Sequence, residues 1–213
     1  MQGIVKRQTL QDISDAIQFA KGVSSAYTPT EMASAISTLN IYENHVAELL
    51  SHDIRSIDNS TVTKIRDYAF YNCALLNTVN FPNVNYVGVS SFNGCTHLTT
   101  ITLPKIWEIG ADAFRNCSAL TTVDLGDGTL YDGELTLNGD AFKSCTALVT
   151  FIIRETKMAA VTNSTYFAGT PIANRNGYIY VPSNLVSTYK NNNYWSTYTD
   201  QFRAIEDYPN ICG

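Results

Sequence analysis
The 213-residue chain has no run approaching the ~18 to 20 consecutive apolar residues of a membrane-crossing helix, so no membrane insertion is expected. Its first residues, MQGIVKRQTL, lack the apolar stretch of a secretory leader, and no signal peptide is expected in this chain. Charge is scarce: 14 Lys and Arg stand against 19 Asp and Glu, with no basic cluster. Binding to phosphate backbones needs such a cluster, so a nucleic-acid partner is excluded. Histidine is scarcer still, with His45, His52 and His97 only. None stands in an HExxH helix, and GxSxG, P-loop and dinucleotide fingerprints are all missing. The expectation is a non-enzymatic protein with no catalytic residue, no cofactor and no metal.

What the chain does have is a repeat. Phe70, Phe92, Phe114 and Phe142 are separated by 22, 22 and 28 residues, and Cys73, Cys95, Cys117 and Cys145 take the same steps. A period near that length marks a solenoid, in which one coil cannot bury its apolar face alone. After each FxxC comes a triplet in LxxLxL spacing: Leu76, Val79, Phe81; Leu98, Ile101, Leu103; Leu120, Val123, Leu125; Leu148, Phe151, Ile153. The last two members of each alternate as a strand does. Ile54, Ile57 and Asn59 form a degraded first copy, and Ile65, Val87, Ile109 and Leu137 supply an opposite apolar wall. Asn72, Gly94, Asn116 and Ser144, just before the cysteines, suit a tight turn. Later, Phe167 and Thr170 take up the Phe and Cys phase, and residues 178 to 181 form a last strand.

Equivalent cysteines on successive coils would lie ~4.8 Å apart, inside disulfide range, but their Cβ vectors run parallel along the stack. Buried free thiols acting as small hydrophobes are expected. The 28-residue step places six extra residues in GDGTLYDGELTLNG, between Leu125 and Phe142. Asp124, Asp127, Asp132 and Glu134 offer oxygen ligands for calcium there, but their spacing is not that of an EF-hand loop, and a solvated loop over 126–139 is expected.

The sequences AFYNC, SFNGC, AFRNC and AFKSC, each followed by its LxxLxL strand, resemble the BspA-type leucine-rich repeat over roughly residues 54 to 182. The resemblance implies a right-handed stack of β-coils, an α/β repeat solenoid, in a family of non-enzymatic binding proteins that includes bacterial surface adhesins. Ahead of it, Leu10, Ile13, Ala16, Ile17 and Ala20 have helical spacing, and Thr28, Pro29 and Glu31 begin a second helix with Met32, Ala35, Ile36 and Leu39 as its apolar stripe. The pattern LQDISDAIQFAKG with YTPTEMASAI resembles a helical module of phage tail and prophage-encoded proteins. After the solenoid, Leu185, Tyr189, Trp195, Tyr198, Phe202 and Ile205 are placed in short helices that cover the last coil. The expected organisation is a helical adaptor over 1–50, a solenoid over 51–182 and a small helical C-terminal cap over 183–213.

In LxxLxL strands the residues between the apolar ones face outward. The candidate partner-binding face is therefore Thr78, Asn80, Thr100, Thr102, Thr122, Asp124 and Thr150, with Ile152 among them and Tyr178 and Tyr180 continuing it. An uncharged Thr and Asn stripe ending in tyrosines suits a protein or a cell-surface glycan, since Tyr gives contact area at low entropic cost. The expected setting is extracellular, on a cell surface or in a virion. The rival expectation is a scaffold part of a phage particle, forming homo-oligomers through its N-terminal helices.

Overall fold
The computed structural model describes residues 55–129, 135–162 and 165–212. The N-terminal helices expected over 1–50 lie outside these residues. Each coil carries one strand on each of two walls. The first wall holds β1 (Ser56–Asp58), β3 (Thr78–Asn80), β5 (Thr100–Leu103), β7 (Thr122–Leu125), β9 (Thr150–Ile153), β11 (Tyr178–Val181) and β12 (Phe202–Ala204). The second holds the two-residue strands β2 (Lys64–Ile65), β4 (Tyr86–Val87), β6 (Glu108–Ile109), β8 (Thr136–Leu137) and β10 (Ala160–Val161). All pairings are parallel, in the orders β12-β11-β9-β7-β5, β10-β8-β6-β4-β2 and β1-β3.

The register is the repeat itself. Ile101 stands opposite Val123 and Val123 opposite Phe151, so each apolar triplet member packs on its counterpart one coil away. Because Glu108 pairs with Thr136, the six extra residues fall between β7 and β8 and leave both ladders in phase. Leu98, Leu103, Leu120, Leu125, Leu148 and Ile153 are fully buried, as are Val87, Ile109 and Leu137 of the opposing wall.

The FxxC segment forms the third wall. Phe92 N–H donates to the Ala113 carbonyl at 2.8 Å and Phe114 N–H to the Ala141 carbonyl at 2.8 Å, so this wall too is knitted coil to coil. Its chain reverses through a left-handed residue before each cysteine: Asn72 (φ 57°), Gly94 (79°), Asn116 (61°) and Ser144 (62°). Glycine takes this conformation without steric cost, and asparagine takes it at a small cost. Inside the turn the rings stack, Phe70 on Phe92 at 5.0 Å, Phe92 on Phe114 at 5.1 Å and Phe114 on Phe142 at 5.3 Å, close to the strand spacing. The thiols of Cys95, Cys117 and Cys145 donate to the carbonyls of Phe70, Phe92 and Phe114 on the previous coil, at 3.1, 3.1 and 3.0 Å. Thr170, where a fifth cysteine would stand, is buried and turns its hydroxyl to Phe167 of its own turn at 2.7 Å.

The tail is not all helix. The short helix α1 (Val186–Lys190) and a 3-10 stretch over Trp195–Gln201 hold the expected aromatics, but Phe202 begins β12, which pairs with β11 through Ile179 and adds a further strand to the first wall. On the second wall, Tyr189 and Trp195 close the edge left by β10. The Ala159 N–H donates to the Tyr189 hydroxyl at 2.7 Å, and the Trp195 indole N–H donates to the Ala159 carbonyl at 2.9 Å. The helical placement of Phe202 is corrected for a physical reason: an open parallel edge is best satisfied by another strand. A final helical turn, α2 (Pro209–Cys212), follows.

Candidate recognition face
The alternation of β3, β5, β7, β9 and β11 sends two columns outward. One is Thr78, Thr100, Thr122, Thr150 and Tyr178; the other is Asn80, Thr102, Asp124, Ile152 and Tyr180. Threonine favours such sites because its branched Cβ suits a pleated surface. Elsewhere hydroxyls are consumed by the stack. Thr96 donates to the Ala74 carbonyl at 3.3 Å, Thr121 to the Thr99 carbonyl at 3.0 Å and Thr146 to the Ser118 carbonyl at 3.3 Å. The hydroxyls of Thr78, Thr100, Thr102, Thr122 and Thr150 have no such bond among the described residues. They are left to solvent or to a partner.

The face is open at one end and covered at the other. Thr78, Asn80, Thr100 and Thr102 are exposed, Thr122, Asp124 and Thr150 are half-buried, and Ile152 and Tyr180 are buried. Tyr180, expected on the open face, is only 3 % exposed, because Ile205, Tyr208 and Cys212 of the tail pack over it and over Ile152. Its ring meets Tyr208 edge-on at 5.3 Å. Asp124 is likewise engaged: Arg154 donates to both its carboxylate oxygens at 2.8 Å and also to the Cys212 carbonyl, tying the tail to the sheet. Tyr178 remains 41 % exposed, with the Arg203 guanidinium 4.4 Å from its ring centre. The tail thus sets Arg203 against Tyr178 and Tyr208 against Tyr180 at the end of the two columns. No spacing rule along the repeat announces that cover, because its residues come from beyond the last repeat.

Chemistry of other kinds finds little support on this face. His97 is exposed and holds the Ala74 carbonyl through Nδ1 at 2.6 Å, while His45 and His52 lie outside the described residues. Burial pushes the Cys73 thiol up to about 11 and raises Cys95 and Cys117 further, so the thiolate needed of a nucleophile is suppressed. All five cysteines are free and buried. The folded protein is therefore expected to leave its thiols unlabelled by a maleimide at neutral pH, over a time in which the denatured chain labels fully. Rapid labelling of any native thiol would contradict the packing described.

Among the described residues no three His, Cys, Asp or Glu side chains converge on one point. Of the acids named in the loop, Asp124 is paired with Arg154, Asp127 accepts from the Thr129 N–H at 2.8 Å, and Asp132 and Glu134 lie outside the described residues. No helix among the described residues is long and apolar enough to cross a membrane.

The BspA type leucine rich repeat region matches residues 51–170 in 6 copies. Among solved structures, the chain is similar to a leucine-rich repeat protein of T. pallidum, with 23 % identity and a TM-score of 0.49, over 60 % of this chain and 58 % of that one. It is also similar to a leucine-rich repeat protein from Bacteroides ovatus ATCC 8483, with 24 % identity and a TM-score of 0.41, over 62 % of this chain and 40 % of that one. The chain thus spans less than two thirds of either protein's length. No curated protein sequence matches it. With the repeat model covering more than half of its length, and the described residues folded as a stack of parallel-strand coils, the chain belongs to the BspA type leucine-rich repeat family.

Proposed function
We propose that this chain is a non-enzymatic recognition module that binds a protein or a cell-surface glycan through the open end of its Thr and Asn face, in an extracellular, bacterial-surface or phage-particle setting. Leucine-rich repeat proteins generally mediate protein binding or adhesion. The observation that carries the reading is the set of unspent hydroxyls of Thr78, Thr100, Thr102 and Thr122, in a protein that elsewhere uses such groups to hold its own coils together. An unbonded hydroxyl on a flat, rigid sheet donates and accepts without reorganisation, which lowers the cost of binding an uncharged polar partner. Asn80, held by its Nδ2–H donating to Asp58 at 3.0 Å, and the exposed ring of Tyr178 extend the surface. Residues 1–50 would then serve as the adaptor that attaches the reader to a larger body.

The test is a titration of the labelled full chain on a panel of intact bacterial cells and on immobilised surface glycans and proteins. Saturable binding is expected to one of them. Thr100→Lys with Thr102→Lys should weaken it at least ~10-fold, equivalent to about 1.4 kcal/mol, with the melting temperature kept. Absence of saturable binding, or binding unchanged in that variant, would count against the face.

A further inference from the structure
Glu155 does not fit its surroundings. It is the only buried acidic residue among the described ones, 7 % exposed, and its Oε1 has no hydrogen-bond partner among them. A carboxylate taken out of water is strongly disfavoured unless it is paired. Among the described residues no cation answers Glu155: Arg154 is committed to Asp124 and to the Cys212 carbonyl, and Lys105, whose Nζ donates to Asn83 Oδ1 at 2.6 Å, acts by its charge on Asp127 instead.

Against Glu155 lies the start of the six-residue insertion. Gly126 and Gly128 both take left-handed conformations, with φ 82° and 78°. A Cβ on Gly126 would collide with Glu155 Oε1, and one on Gly128 would stand 3.6 Å from the Arg154 carbonyl oxygen, so the turn brings bare backbone up to this acid. Between the glycines sits Asp127. The hydroxyl and N–H of Thr129 both donate to its Oδ1 and hold its carboxyl below the usual range, so it is anionic. Burial first, and then the charge of Asp127, push the Glu155 carboxyl up, the response of an acid that lacks a counter-charge.

We propose that Glu155 and Asp127, together with backbone carbonyl oxygens of the Gly126–Gly128 turn, bind a calcium ion that pins the root of the insertion to the end of β9. The donors are all oxygen and come from an irregular turn, which suits calcium's large, adaptable shell better than magnesium's strict octahedron or a transition metal's preference for nitrogen and sulfur. The site differs from the acid set of the loop sequence: Asp124 is spent on Arg154, and Glu155 arrives from the next coil.

Thermal melting of the full chain tests it, in EDTA and in millimolar calcium chloride. Calcium should raise the wild-type melting temperature by about 3 °C or more. Glu155→Gln should abolish that shift while melting in EDTA at or above the wild type, since the amide removes a buried unpaired charge; this shows that the variant folds. Asp127→Asn should reduce the shift, and Asp58→Asn, a remote surface acid, should keep it. No shift in the wild type, or an equal shift in Glu155→Gln, overturns the site. If the wild type ignores calcium but becomes more stable as pH falls, while Glu155→Gln does not, the occupant is a proton and the proposal is again overturned. The sign follows from linkage: a raised folded-state carboxyl pKa gives stability at low pH that is lost as pH rises through it.

Discussion

Phe92→Ala will destabilise the protein by about 3–5 kcal/mol, the range for removing a fully buried aromatic ring. Phe92 is 0 % exposed and stacks on Phe70 at 5.0 Å and on Phe114 at 5.1 Å, so truncation opens a void with a ring on both sides. The backbone cannot close that void. The Phe92 N–H is bonded to the Ala113 carbonyl and its own carbonyl accepts from the Cys117 thiol, which fixes the turn in place. Chemical denaturation should show the loss as a lower midpoint at unchanged slope. Phe70→Ala, at the half-buried end of the same ladder, should cost clearly less. Equal costs at 70 and 92 would mean that the ladder does not act as a stack.

Trp195→Ala will have an effect of similar size, about 3–5 kcal/mol and a fall in melting temperature on the order of 10 °C. Trp195 is fully buried among Tyr166, Tyr189 and Phe202, with ring separations of 5.7, 5.2 and 6.0 Å. Its loss removes more than apolar contact. The Ala159 carbonyl, at the end of the second wall, loses its donor, and a strand edge with an unsatisfied acceptor is a template for association with another chain. The variant should therefore gain a concentration-dependent tendency to associate, visible by light scattering below its melting temperature. Trp195→Phe restores most of the volume but not the N–H, so it should recover stability more fully than monodispersity. A variant that stays as stable and as monodisperse as the wild type would remove Trp195 from the capping role.

The coils were legible because their cause is local and periodic. A step of 22 residues that carries Phe, Cys and three apolar positions together leaves one register in which all of them stay inside, and the strands pair in that register. Even the step of 28 could be placed, since Leu137 kept the phase of Ile109 across it. Tyr180 was not legible. Its position in β11 is the outward one that the alternation assigns, and only the tail, folding back to lay Tyr208 and Cys212 on it, makes the outward position an inside one. The strand at Phe202 is hidden for a related reason. Its neighbours read as helical cap residues, and the demand of the β11 edge for a partner overrode that preference. Glu155 is not legible as a buried acid, because an acid next to Arg154 in sequence has the look of a surface pair, whereas the arginine turns to Asp124.

The Thr face alone decides whether the protein reads a partner as described, and a photo-crosslinker placed on it gives the most direct answer. The native thiols are buried, so Thr100→Cys on the open face, or Thr136→Cys on the second wall, supplies a single reactive site for the label. After irradiation on cells or on a glycan surface that the protein binds, the label at position 100 should be found joined to the bound component and the label at 136 should not. Adducts from 136 with none from 100 would place recognition elsewhere on the molecule and contradict the role given to the open face.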